Sequence, residues 1–176
     1  MSCSAVICLL MAGIAIACSV IGTPLPFMRY ASEPPRCVSA WGYKMDCNSN
    51  DYTVLTNDLM TCDAYKQRLR TVGAFQIIGI VGAAAAGVSI LFGLICKKPL
   101  FKWLAIVTGL LGSIAFLIVV GIEGAAFTTD VCGTGAPTFR DQGWVLTSGF
   151  ALVTVAWIVS MVYPIILCIV DPGFHD

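Results

Sequence analysis

Four long stretches of the chain contain no charged residue and consist largely of apolar side chains. Crossing a hydrocarbon core of about 30 Å takes roughly 20 helical residues. A helix is the expected form, because a backbone in lipid must satisfy its own hydrogen bonds, and a β-barrel would show strands of alternating polarity. The pattern therefore predicts four membrane-spanning helices, at about 3–22, 71–96, 103–122 and 143–170.

The polar segments between these helices define two sides of a membrane. Four crossings place both termini on one side, together with the short turn 97–102 and the tail 171–176. The large loop 23–70 and the second loop 123–142 then share the other side. The first stretch lacks the basic n-region of a signal peptide and is longer than a typical apolar h-region, so we expect it to be retained as a span.

The composition agrees with a membrane protein. Hydrophobic residues make up 58% of the chain and charged residues 11%, far from the average of soluble domains. The formal net charge is zero, so nothing indicates a polyanionic partner such as nucleic acid.

Cysteine placement indicates which side is outside. The two long loops together contain an even number of cysteines, and disulfides persist on the oxidising side of a membrane. The positive-inside rule is divided, since the short turn is dense in lysine but the large loop holds more basic residues in total. We give cysteine placement more weight than the positive-inside rule in assigning the orientation. We therefore expect both termini in the cytoplasm and the following residues outside: Cys37, Cys47, Cys62 and Cys132.

The segment from Arg36 to Cys47 is the most specific part of the large loop. Its β-branched and aromatic residues flank Gly42, which predicts two short strands joined by a tight turn. A Cys37–Cys47 bridge would clamp this hairpin by roughly 2.5 to 3 kcal/mol in the chain-entropy model. Cys62 would then pair with Cys132, although four cysteines permit three pairings and the other two stay open.

With Trp41-Gly42, Lys44 and Asp46 placed between Cys37 and Cys47, the same segment resembles the signature of the amastins, tetraspan surface proteins of trypanosomatid parasites. Ala40 departs from the pattern, which usually has a bulkier apolar residue there. The residues that fit are Cys37, Val38, Ser39, Trp41, Gly42, Lys44, Asp46 and Cys47. The resemblance implies an all-α membrane protein, with a claudin-like four-helix bundle capped by a small extracellular β-sheet at the plasma membrane. It implies no chemistry.

Small residues recur every fourth position in the second predicted helix, at Gly79, Ala83 and Gly87. Such faces let helix backbones approach closely in lipid. Gly109 with Ser113, and Gly149, offer similar surfaces. Packing within one chain is the expectation that we favour slightly over packing between chains.

Several single residues have both a functional and an ordinary interpretation. Cys96 and Cys168 fall at predicted cytoplasmic helix ends, where S-palmitoylation acts, but buried thiols are equally compatible with the sequence. Glu123 falls at the predicted outer interface, where we expect it to be solvated. Trp41 suits a recognition surface, although packing under the sheet or at the headgroup level is favoured.

Catalytic and cofactor motifs are not found in the sequence. It has no Cys-x-x-Cys pair and no glycine-rich phosphate loop, and no nucleophile with a paired base can be assembled at membrane depth. The single histidine, His175, makes no metal site by itself. We therefore expect a protein without catalytic residues, metal or cofactor.

These observations predict a non-enzymatic surface protein whose helices orient a disulfide-bonded extracellular cap. The expected partners are membrane lipids, further copies of the chain, and host or neighbouring surface proteins. The alternative is a lipid-binding protein, or a channel or carrier for ions, protons or small solutes. An apolar groove suits acyl chains, whereas the predicted spans lack the buried charges of an ion path.

Overall fold

Four helices and a five-stranded sheet make up the described part of the chain, which in this computed structural model comprises residues 3–49, 51–56, 62–133, 135 and 137–169. Side chains are described from residue 6 onwards. In chain order the elements are α1 (Cys3–Gly22), β1 (Met28–Tyr30), β2 (Arg36–Ser39), β3 (Gly42–Lys44), β4 (Val54–Leu55), α2 (Asp63–Cys96), α3 (Pro99–Thr128), β5 (Trp144–Leu146) and α4 (Ser148–Ile169). The predicted tail 171–176 with His175, and the end of the predicted fourth span at 170, lie outside the described residues.

Three of the helices are long and apolar enough to cross a membrane, namely α2, α3 and α4. The apolar part of α1 with described side chains, Val6–Gly22, is shorter than these three. The chain ends α1 just before Pro24 and Pro26, which cannot donate backbone hydrogen bonds and stop a helix. Helices able to span a bilayer, together with a small antiparallel sheet, thus form the architecture.

Two helices extend beyond the charge-free stretches. The α2 helix begins at Asp63 rather than near Thr71, and its extra turns bury Tyr65 and Leu69 on one face. These turns are amphipathic, so a search for uncharged residues misses them. The α3 helix continues through Glu123 to Thr128, because no proline interrupts it there.

The connection between α2 and α3 is a tight helical corner. The Lys97 amide donates to the Gly93 carbonyl (2.9 Å), and Lys97 has a φ of 52°, the left-handed conformation that commonly ends helices. Pro99 begins α3, where a missing amide proton costs nothing.

The described chain folds into two compact units, each with a core of its own. The helical unit contains residues 3–20, 77–117 and 154–169. The sheet unit contains residues 21–76 and 118–153, within the same described ranges. The helical core comprises Cys8, Ala12, Ala86, Ile90, Ala105, Ile106, Tyr163 and Leu167.

The helical unit packs through its small residues. A Cβ on Gly79 would lie 2.5 Å from Phe116 Cε1, and one on Gly87 would lie 3.7 Å from Ala12 Cβ. Ala83 is fully buried. These three residues, spaced four apart in α2, therefore contact other helices of the same chain, as close packing in lipid requires.

The sheet has the strand order β4-β3-β2-β1-β5, with every neighbouring pair antiparallel. Its inner residues pack on the sheet-unit core, which comprises Phe27, Met28, Val38, Tyr65, Leu69 and Ala126. The last strand, β5, falls within the residues 143–170 predicted as a span. A short apolar run such as Trp-Val-Leu has the hydropathy of a helix end and the β-propensity of a strand, so hydropathy alone does not separate the two.

Candidate functional site

The hairpin of β2 and β3 is the centre of the candidate site. Ser39 pairs with Gly42, so Ala40 and Trp41 form the two-residue turn and Gly42 begins β3. Gly42 is needed there because a Cβ would collide with the Val54 carbonyl and lie 3.1 Å from Leu55 Cα in the adjacent strand β4. The sequence pattern predicted Gly42 at the turn itself, whereas Gly42 is the first residue of β3.

Two disulfides brace the sheet unit. Cys37 bonds to Cys47 across the hairpin and the loop that follows it, and Cys62 bonds to Cys132. The second bond links residues 70 positions apart and so joins the large loop to the second loop. This is one of the three pairings that four cysteines permit.

Polar residues of the signature form hydrogen bonds within the loop. Lys44 Nζ donates to the Ser49 carbonyl (2.9 Å) and lies 4.7 Å from the centroid of the Tyr52 ring. Asp46 Oδ1 accepts from the Asn48 amide (2.9 Å), and Ser39 Oγ accepts from the Trp41 amide (3.2 Å). These side chains therefore shape the loop and hold it as a scaffold.

Trp41 lies at the turn and is 37% exposed. Its indole nitrogen donates to the Thr23 carbonyl (3.1 Å), and two carbons of its ring lie 3.7 Å from the Cβ position of Gly73. The residue thus fastens the hairpin to the segment after α1 and to α2 while keeping part of the ring accessible. Such an amphipathic contact suits a Trp, whose ring is apolar and whose N–H needs a partner.

Glu123 differs from its expected solvated position. The side chain is 2% exposed, and its Oε2 atom has no hydrogen-bond partner among the described residues. The expectation was wrong because α3 continues past residue 122 and places Glu123 on the same buried face as Val119 and Ala126, at helical spacings of four and three. The described part of the sheet unit therefore contains a buried carboxyl that the sequence pattern did not predict.

The two candidate lipidation residues, Cys96 and Cys168, are free and exposed. Cys8 is free and buried, and its thiol lies 3.9 Å from the Tyr163 carbonyl in the helical unit. Exposed thiols at helix ends are accessible to an acyl transferase, whereas the Cys8 environment is that of an ordinary core thiol.

The described residues offer hydrogen-bonding groups around the hairpin. They contain no group of three His, Cys, Asp or Glu side chains that could hold a metal ion. Several hydroxyl groups near the hairpin form hydrogen bonds, as in Thr56, whose Oγ1 donates to the Ala40 carbonyl (2.9 Å). The site is a braced sheet with part of its surface exposed.

The sequence pattern does not show the close backbone contact between α2 and α3 or the outer strands of the sheet. A Cβ on Gly82 would lie 2.8 Å from Gly112 Cα, closer than ordinary van der Waals contact. Gly82 does not belong to the predicted series of small residues spaced four apart. The pairing of β1 with β5, which joins Tyr30 to Trp144, connects segments far apart in sequence. Local patterns carry no signal for such pairing.

Comparison with known families identifies a family to which most of the chain is similar. The sequence model of a family described as amastin surface glycoprotein matches residues 13–167. The match includes the hairpin, both disulfides and most of the four helices. No curated protein matches the chain.

Proposed function

Because this chain belongs to the amastin surface glycoprotein family, we propose that it is a non-enzymatic surface protein of a parasite plasma membrane. Its disulfide-bonded cap, meaning the sheet unit with Cys37–Cys47 and Cys62–Cys132, would make structural or adhesive contacts outside the cell. The family is not an enzyme family. Its helices are able to span a membrane and would hold the cap at the surface.

The proposal is carried by the division of the cysteines. The four loop cysteines are all in disulfide bonds, whereas Cys96 and Cys168 are free and lie at the C-terminal ends of α2 and α4. Disulfides persist in oxidising compartments and thiols in the cytosol. The division supports an extracellular cap with cytoplasmic termini and a cytoplasmic 97–102 turn.

We further propose that α1 is a fourth span, so that the helices form a claudin-like bundle. The α1 helix has 20 residues, the length that a bilayer needs, and its apolar sequence suits lipid. With α1 as a fourth crossing, both termini would lie on one side of the membrane. Lateral association with further copies and contact with host or neighbouring surface proteins belong to the same proposal.

A single substitution tests the orientation of the cap. Asp51→Asn creates an Asn-x-Thr sequon with Thr53, and both positions are exposed in the loop after β3. In a eukaryotic host that glycosylates, the variant should gain a glycan that a glycosidase removes. Asp51→Gln is the matched control and should gain none. If Asp51→Asn reaches the surface of the host without a glycan, the extracellular cap is refuted.

Lipid binding is the alternative with a specific observation behind it. In the helical unit, an apolar groove of about 370 Å³ runs between α1 and α2, lined by Leu9, Ala12, Gly13, Ile16, Ala84, Gly87, Val88 and Leu91. Apolar walls suit an acyl chain. Gly13→Leu should fill the groove, and the loss of co-purifying lipid in native mass spectrometry would support this alternative.

A channel or carrier is the second alternative, and it would need more than one buried polar group in line. Glu123 is the residue to test first, because an intramembrane acid marks ion or proton paths in other membrane proteins. Proton or ion flux into liposomes that Glu123→Gln abolishes would favour transport over the surface role.

A further inference from the structure

A cavity of about 400 Å³ opens beside the first residue of β2, at the end of the hairpin away from its turn. Four described side chains line it, from Tyr30, Arg36, Gln142 and Trp144. The volume lies within the range of small-molecule sites, which combine aromatic walls with a few placed polar groups. This cavity combines two aromatic rings with one cation and one amide.

Strand pairing aligns three of these residues across the sheet. Tyr30 on β1 pairs with Arg36 on β2 and with Trp144 on β5. Directly paired residues of antiparallel strands project from the same face, so the three side chains form one row. The ring centroids of Tyr30 and Trp144 are 5.5 Å apart with an interplanar angle of 37°.

Ring contacts within the sheet unit fix the orientation of the Trp144 side chain in the free protein. Trp144 contacts Phe139 edge to face at 5.4 Å, and Phe139 contacts the buried Tyr65 at 5.6 Å. The rings thus continue inward to the core of the sheet unit. A wall anchored in this way loses little conformational entropy on binding.

The loop before β5 fixes the amide. Gln142 Nε2 donates to the Pro137 carbonyl (2.7 Å), and the Gln142 backbone amide donates to the Thr138 carbonyl (3.0 Å). Gly143 has a φ of 84°, a conformation that glycine adopts readily, and it turns the chain between Gln142 and Trp144. The amide keeps its oxygen and a second N–H for a ligand.

The arginine supplies an uncompensated positive charge. The Arg36 guanidinium forms no hydrogen bond or ion pair with the described residues, and its side chain is exposed. None of the described residues that line the cavity is acidic. A guanidinium matches a carboxylate with two parallel hydrogen bonds.

From these four residues we propose that the cavity binds a carboxylate-bearing sugar, as found at the ends of acidic glycans. The sugar would lay its apolar C–H face on the Tyr30 and Trp144 rings, whose π-faces are electron-rich. Its carboxylate would pair with Arg36, and a hydroxyl would bond to Gln142. The inference rests on the proposed surface role, because only an exterior cap would meet such glycans.

The test uses the full chain in lipid nanodiscs, where orientation in a cell is irrelevant. N-acetylneuraminic acid and glucuronic acid are the probes, and saturation-transfer NMR with titration reports binding. We expect both acids to bind at roughly millimolar strength or tighter. Glucose has the ring without the carboxylate. It should bind at least about tenfold more weakly, because a hydrogen bond to a charged group contributes that much to affinity.

Variants locate the site. Arg36→Gln should weaken the acidic sugars by about tenfold or more, and Tyr30→Thr should weaken acidic and neutral sugars alike. Arg29→Gln is the matched control, because Arg29 is also exposed and adjacent in β1 but projects from the opposite face. Intact disulfides and unchanged melting temperatures would show that each variant is folded.

Other results overturn the proposal. Binding that Arg29→Gln reduces as much as Arg36→Gln would indicate nonspecific charge attraction. Equal binding of a short peptide with a free C-terminal carboxylate would assign the cavity to peptides instead. No binding of either acid would leave the cavity without this ligand, while the Asp51→Asn glycan would still report on the surface role.

Discussion

Single atoms decide how closely α2 and α3 pack in the helical unit. A Cβ on Gly82 would lie 2.8 Å from Gly112 Cα and 3.1 Å from the Thr108 carbonyl oxygen. Both are backbone atoms, so neither can rotate away as a side chain would. The two glycines therefore set the separation of the helices, and lipid offers no hydrophobic force to compensate for a wider gap.

Gly82→Ala should lower the free energy of unfolding by about 1–3 kcal/mol, the usual cost of overpacking. Gly13→Ala is the control, because Gly13 is helical and exposed and its added Cβ would have no atom within 4 Å. It should be neutral or stabilise by up to about 1 kcal/mol through helix propensity. Thermal unfolding in one detergent measures both. Equal effects of the two variants would refute the close contact.

Glu123 leads to a second prediction about one side chain. Burying a carboxyl without a partner costs free energy, and Glu123 Oε2 has none among the described residues. Glu123→Gln keeps the shape and replaces an ionisable carboxyl with an amide that cannot ionise, so the melting temperature at neutral pH should rise, with a gain of about 1 kcal/mol or more. Glu33→Gln, at an exposed position, should change nothing. A fall in stability would instead indicate that Glu123 holds a bound cation.

At the scale of elements, the sheet depends on bonds between segments that are distant in sequence. Four of its strands come from the large loop, and β5 comes from beyond α3. The Thr147 amide donates to the Phe27 carbonyl (3.0 Å), and the Gly149 amide donates to the Pro26 carbonyl (3.2 Å), so the start of α4 is tied to the segment after α1. The Cys62–Cys132 bond adds a covalent link.

The two disulfides should therefore differ in what they stabilise. In the chain-entropy model, a separation of 10 residues gives roughly 2.7 kcal/mol and one of 70 gives roughly 4.4 kcal/mol. Double Cys→Ala replacement of Cys62 and Cys132 should lower the melting temperature more than that of Cys37 and Cys47. Replacing the free Cys96 and Cys168 should have no effect. The opposite order would mean that the hairpin bond carries more of the fold.

The sequence predicts these elements unevenly, for physical reasons. Charge-free length identifies the apolar centres of α2, α3 and α4, because lipid selects against charge along the whole span. The polar first turns of α2 escape such a search, since Tyr65 and Leu69 are buried by protein rather than lipid. The strand β5 escapes it too, as its pairing with β1 depends on a partner far away in the chain.

The same contrast holds for the candidate site. The spacing of Cys37, Gly42 and Cys47 indicates a hairpin because local turn and bridge geometry act over few residues. No local pattern brings Tyr30, Arg36 and Trp144 into one row, since that requires two separate strand pairings. Nor does the sequence show that Lys44 and Asp46 are engaged in hydrogen bonds within their own loop.

At the scale of the whole molecule, the surface of the helical unit is as informative as its core. Large apolar side chains there are strongly exposed, among them Leu10, Val81, Leu111 and Ile95. A soluble protein rarely exposes contiguous apolar surface on this scale. Side chains outside the core that are as apolar as those inside it indicate that lipid, rather than water, is the solvent of this unit.

The proposed orientation gives one molecule two populations of cysteine that differ in redox state and in access. On intact cells that carry a variant with Cys3, Cys8 and Cys18 replaced by alanine, a membrane-impermeant reductant followed by a maleimide of high mass should shift the protein through Cys37, Cys47, Cys62 and Cys132. Without reductant the same cells should show no shift, because Cys96 and Cys168 would face the cytosol; permeabilisation alone should then expose them. A Cys96→Ala and Cys168→Ala double variant should lose the second shift and keep the first. Labelling of Cys96 and Cys168 on intact, unreduced cells would reverse the orientation and place the sheet in the reducing compartment, where its disulfides would not persist.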